Sequence, residues 1–104
     1  MSEDLNLNIT SKQRSMLKGL AMNIDPIFQL GKDQITPEYA NAIRAALDKR
    51  ELIKIHVLKN CDADKHELAD LLAERTGSVV VQVIGSKIVL FKYQTDKEKR
   101  KIEI

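Results

Sequence analysis

The chain has 104 residues, of which 43% are hydrophobic and 31% charged, so it is long enough and apolar enough to bury a core, and global disorder is excluded. No apolar run approaches the roughly 18 residues of a membrane helix, and the acidic opening Met1-Ser2-Glu3-Asp4 lacks the apolar segment of a secretory signal, so a cytoplasmic protein is expected. Cys61 is the only cysteine, which excludes an intramolecular disulfide, and the net charge of +2 names no partner by itself.

Residues 1–8 show no hydrophobic periodicity and read as a loose end. Thr10 with Gln13 forms a capping box, opening a helix that runs to about Asn23. Met16, Leu17, Leu20 and Ala21 form its apolar stripe, and Lys12, Arg14 and Lys18 lie off that stripe. Asp25-Pro26 ends it, because the residue before proline is pushed out of helical geometry.

Ile27 to Leu30 reads as a strand, followed by the loop Gly31-Lys32-Asp33-Gln34. Glycine after a strand lets the backbone turn or approach a ligand, and Lys32 adds a cation close to the start of the next helix, a combination that suits a phosphate. A nucleotide P-loop is not supported, since Asp33 follows Lys32 and the upstream glycine is missing. Thr36 caps the second helix and Pro37 takes its first position. Ala40, Ile43 and Leu47 face inward, and Asp48-Lys49-Arg50 closes the helix.

The strand Leu52 to Leu58 alternates, with Ile53, Ile55 and Val57 pointing one way and Lys54 and His56 the other. Asp64 with Glu67 matches a capping box at the start of a third helix carrying Leu68, Leu71, Leu72 and Ala73, with Asp62 the alternative cap, and Gly77 ends it. Val79 to Ile84 and Lys87 to Tyr93 flank Gly85-Ser86, the signature of a hairpin with a II′ turn. Both faces of Val79 to Ile84 are mostly apolar, so the strand is expected to be substantially covered. Residues 95–104 are dominated by charge and read as a tail, leaving one domain over 9–94. The order helix, strand, helix, strand, helix, strand, strand predicts an α/β fold with a mixed four-stranded sheet.

Charge is segregated along the chain. Leu5 to Ile24, Leu52 to Cys61 and Thr76 to Thr95 carry lysine, arginine or histidine and no acid, whereas Asp62 to Arg75 carries five acids. If the basic elements share a face, that face attracts polyanions despite the small total charge. Cys61, His56 and His66 lack metal-ligand spacing, and Cys61 reads as a small buried hydrophobe, so no metal or cofactor is expected. No nucleophile, base and orienting acid can be assembled, and an enzyme is not expected.

Thr10-Ser11-Lys12-Gln13-Arg14 and Leu17-Lys18-Gly19-Leu20-Ala21, then Glu51-Leu52-Ile53-Lys54-Ile55, Thr76-Gly77 and Val81-Gln82-Val83-Ile84-Gly85, resemble the bacterial YhbY family of single CRM domains. The resemblance runs from about Ile9 to Lys92. It implies a two-layer α/β fold with an added N-terminal helix, similar to the C-terminal domain of translation initiation factor three, with strand order 1-2-4-3. It also implies a monomeric RNA-binding protein acting on ribosomal RNA in precursors of the large ribosomal subunit. On this reading Gly31, Lys32 and Asp33 form the RNA loop, and Lys12, Arg14, Lys18, Lys54 and Lys92 widen its electrostatic footprint. The competing reading is a protein-interaction adaptor that docks on ribosomal proteins through its acidic third helix. The chain departs from the family pattern at Gln34, where a second loop glycine is usual, at Ser86, where a basic residue is common, and at His56, where lysine or arginine is usual.

Overall fold

Local rules set the start of each described helix in the computed structural model, which describes residues 9–31, 35–59, 61, 63–94, 98 and 102. In α1 (Ser11–Ala21) the capping box is complete: the Gln13 amide donates to Thr10 Oγ1 at 3.0 Å and the Thr10 amide to Gln13 Oε1 at 2.9 Å. In α2 (Pro37–Arg50) Thr36 accepts from the Tyr39 amide at 3.1 Å, and Pro37 stands at the first position. In α3 (Lys65–Thr76) the Asp64 carboxylate accepts from the His66 amide at 2.7 Å, and Gly77 ends the helix at φ 66°.

The strands β1 (Phe28–Leu30), β2 (Leu52–Val57), β3 (Val79–Ile84) and β4 (Lys87–Phe91) form one mixed sheet in the order β1-β2-β4-β3. The β1–β2 pair is parallel, and β4 lies antiparallel to both β2 and β3. The expected order 1-2-4-3 is therefore observed. The hairpin turn has Gly85 at φ 57° while Ser86 keeps a negative φ, the II′ pattern.

Because side chains alternate across a strand, the sheet has two different faces. On one, Leu30, Ile53, Ile55, Val57, Ile88 and Leu90 pack against Ile43 and Leu47 of α2 and Ala69, Leu72 and Ala73 of α3, with Cys61 buried beside them. On the other, Leu52, Val81, Val89 and Phe91 pack against Leu17 and Ala21 of α1, joined by Ile102 from the charged C-terminal segment. Glu51 is tied to that segment: buried and held at φ 67°, it accepts the Ile102 amide on Oε1 at 3.1 Å and the Lys92 amide on its backbone carbonyl at 2.8 Å.

One expectation needs correcting. Only Leu17 and Ala21 of the α1 stripe are buried, while Met16 and Leu20 remain 44% and 42% exposed. A lone helix lying on a sheet contacts it along a narrow line, so residues on its flank stay in solvent. Val79 to Ile84 is substantially covered as expected, with Val79 and Val81 buried and Val80, Gln82 and Val83 half-buried, while Ile84 is 57% exposed at the end of an edge strand.

Candidate functional site

Among the described residues, only half of the α1 face of the sheet is covered by a helix. Leu52, Phe91 and Val79 form one row across the strands, and α1 lies over this end. Further along, the register aligns Lys54, Val89 and Gln82, and then Gln29, His56, Lys87 and Ile84 in one row spanning all four strands. Gln29 and Ile84 are exposed, and Lys54, His56, Gln82 and Lys87 are half-buried. No acid stands among these six residues, and α1 beside them contains Lys12, Arg14 and Lys18 and no acid either. A shallow groove of about 550 Å³, lined by Pro26, Ile27, Phe28, Gln29 and His56, borders this face along β1.

The same end of the sheet carries the glycine loop and the hairpin turn. The Leu58 amide donates to the Leu30 carbonyl at 2.8 Å and the Val57 amide to the Ser86 carbonyl at 2.7 Å. The chain therefore leaves the sheet at Gly31 beside the turn that delivers Lys87. Tyr39 clamps the elements on either side of the loop: its hydroxyl donates to the Gln29 carbonyl at 2.7 Å, and its ring meets Phe28 edge-on at 6.0 Å. Burial pushes the Tyr39 phenol from 10.0 up to about 12. An acid with a raised folded-state pKa releases its proton more readily when unfolded, so its contribution to stability is complete below pH 10.0 and lost as pH climbs toward about 12. The denaturation midpoint should therefore fall over that range, and fall less in Tyr39→Phe. Equal falls in both proteins would refute this role for Tyr39.

The expected site residues are not all brought together. Lys54 faces the open surface, and Lys12 and Lys18 are exposed on α1. Arg14 turns back to the sheet, where Nη1 donates to the carbonyls of Val80 and Val81 at 2.6 and 2.8 Å. Those carbonyls lie at the bulge between Val80 and Gln82, so the guanidinium caps an irregular strand edge. Lys92 follows Phe91 in β4 and pairs with Asp48 of α2 at 3.0 Å, away from Lys54. Gly31 is buried at the sheet end, while Lys32, Asp33 and Gln34 lie outside the described residues. Lys87, Gln29 and Gln82 were missed by sequence reasoning. The acid-free segment Thr76 to Thr95 pointed to Lys87, but its face depended on the register.

The acids of α3 take the opposite side. Glu67, Asp70 and Glu74 are exposed on α3, whose Ala69, Leu72 and Ala73 pack under the other sheet face. Among the described residues, no three of His, Cys, Asp and Glu gather as a metal could require, and no helix is long and apolar enough to cross a membrane.

Fold and surface together define a small α/β domain with one basic and one acidic side. The profile of the CRS1/YhbY (CRM) domain matches residues 9–92. YqeI of Bacillus subtilis, named a probable RNA-binding protein, is 42% identical over 96 residues, covering 92% of this chain and 98% of its own. An RNA-binding protein of Haemophilus influenzae is 31% identical over 96 residues, covering 92% of this chain and 94% of its own. The solution structure of a hypothetical protein from Staphylococcus aureus superposes with a TM-score of 0.77 at 47% identity, covering 93% of this chain and 99% of that one. The chain belongs to the CRS1/YhbY (CRM) domain family.

Proposed function

We propose that this protein binds RNA on its open sheet face and acts, without catalysing a reaction, in assembly of the large ribosomal subunit. The observation that carries the binding is that Lys54, His56 and Lys87 share one face across neighbouring strands, with no acid among the strand positions beside them. Lysines on a common face attract the phosphates of a polyanion and release its counterions. Lys12 and Lys18 extend the basic surface along α1, and Lys32, next in the chain after Gly31, would add a cation at the loop. Acidic α3, on the far side, would orient the domain by repelling RNA there. Similarity to relatives named an RNA-binding protein and a probable RNA-binding protein supports this reading, and the resemblance to single-domain YhbY proteins supports a place in large-subunit assembly.

Sedimentation tests the cellular part and crosslinking tests the face. The tagged chain should travel with precursors of the large subunit and leave them as salt rises. RNA crosslinks should fall on peptides containing Lys54 and Lys87. Absence from precursor particles would remove the assembly role. RNA crosslinks missing from the open face, with protein crosslinks concentrated on α3, would favour the adaptor instead.

A further inference from the structure

Resting on the proposed RNA binding, we infer that the open sheet face takes double-helical RNA through its sugar-phosphate backbone, with little regard to base sequence. The inference comes from where the rings are. The chain has two phenylalanines, two tyrosines and no tryptophan. Phe28 and Tyr39 meet edge-to-face at 6.0 Å and pack on the core of the opposite sheet face. Phe91 and Tyr93 meet at 6.3 Å beneath α1, with Phe91 1% exposed. Each ring packs against a core cluster, Phe28 also lining the groove beside β1, and none lies on the Gln29–His56–Lys87–Ile84 row.

Proteins that read single-stranded RNA spread its bases over aromatic rings or arginine planes. On this face His56 is the one ring available. Arg14, the arginine of α1, is engaged on the Val80 and Val81 carbonyls. What the face does offer is lysine for phosphate and two amide side chains, Gln29 and Gln82, able to donate to or accept from a 2′-hydroxyl. Ile84 adds an aliphatic surface that suits a ribose and provides no π system. The four-strand row spans about 14 Å at the usual strand spacing, an open surface that suits the wide, shallow minor groove of A-form RNA. A duplex also carries more phosphate per unit length than a single strand, which favours a site built on charge.

Fluorescence anisotropy of the full chain with three labelled probes of equal length tests this: an RNA duplex, a duplex of scrambled sequence and an unstructured single strand. At one low salt concentration the duplexes should bind within about threefold of each other and at least roughly tenfold more tightly than the single strand. A preference for duplex below tenfold, or a larger dependence on sequence, would overturn the inference while leaving RNA binding intact. Failure of all three probes to bind would instead remove RNA binding itself, and this inference with it.

Discussion

Reversing the charge of Lys54 and Lys87 together should weaken RNA binding by about 3 kcal/mol, roughly a hundredfold, given about 1.5 kcal/mol for each charge-assisted contact. The two residues lie on adjacent strands, Lys54 opposite Val89 and Lys87 opposite His56, so both would be lost from one phosphate-facing surface. The salt dependence provides an independent readout. About four duplex phosphates neutralised by the parent protein give a log–log slope near −3.6, and each lost contact reduces its size by about 0.9. The Lys54→Glu/Lys87→Glu protein should therefore show about half the parent slope. Lys49→Glu, exposed in the last turn of α2 on the other side, should leave both numbers near the parent values. An unchanged affinity in a folded double variant would move the RNA off this face. If Lys32→Glu then abolished binding, the glycine loop would be the site. Arg14→Gln belongs to a separate class, since removing its bonds to Val80 and Val81 should lower stability through the β3 edge.

The largest stability effect should come from Phe91→Ala, a loss of about 3–5 kcal/mol, a large share of the 5–15 kcal/mol typical of a domain. Phe91 is almost fully buried with Leu17, Ala21, Leu52, Val81 and Val89, and Tyr93 and Ile102 pack on the same cluster. Truncation leaves a cavity beneath α1, where the contact line is already narrow. Amide exchange in α1 should accelerate more than in α2, whose core on the opposite face is intact. A urea-determined loss below about 1 kcal/mol would show that α1 is not held by this cluster. Loosening α1 should also weaken RNA binding modestly, because Lys12 and Lys18 would no longer be presented beside the sheet.

Much of this arrangement was legible before any tertiary contact was known. Thr10, Thr36, Asp64 and Gly77 marked helix ends because caps satisfy backbone groups a few residues away, a local requirement written in adjacent residues. Alternation of Ile53, Ile55 and Val57 with Lys54 and His56 separated core from surface in β2, since the period of a strand is intrinsic to it. The charge segregation between the basic strands and acidic α3 was equally visible. Ring burial was only partly visible, because Phe28 reads as core by its neighbours while Tyr93 depends on what returns to cover it.

What tertiary structure alone decided is which of these surfaces meet. Placing β4 between β2 and β3 sets Lys87 beside His56, and that order depends on long-range pairing no local pattern encodes. Strand parity then sends Lys54 to the open face and Lys92 toward Asp48, two lysines that look alike in sequence. Arg14 reads as a surface cation until the β3 bulge offers it two carbonyls, and the extra residue of that bulge exists only in a paired sheet. The sequence by itself determined the elements, their capped ends and the segregation of charge, because each depends on neighbours within a few residues. Register and helix packing, which depend on residues far apart in the chain, decided that the basic segments form one face and that acidic α3 lies behind it.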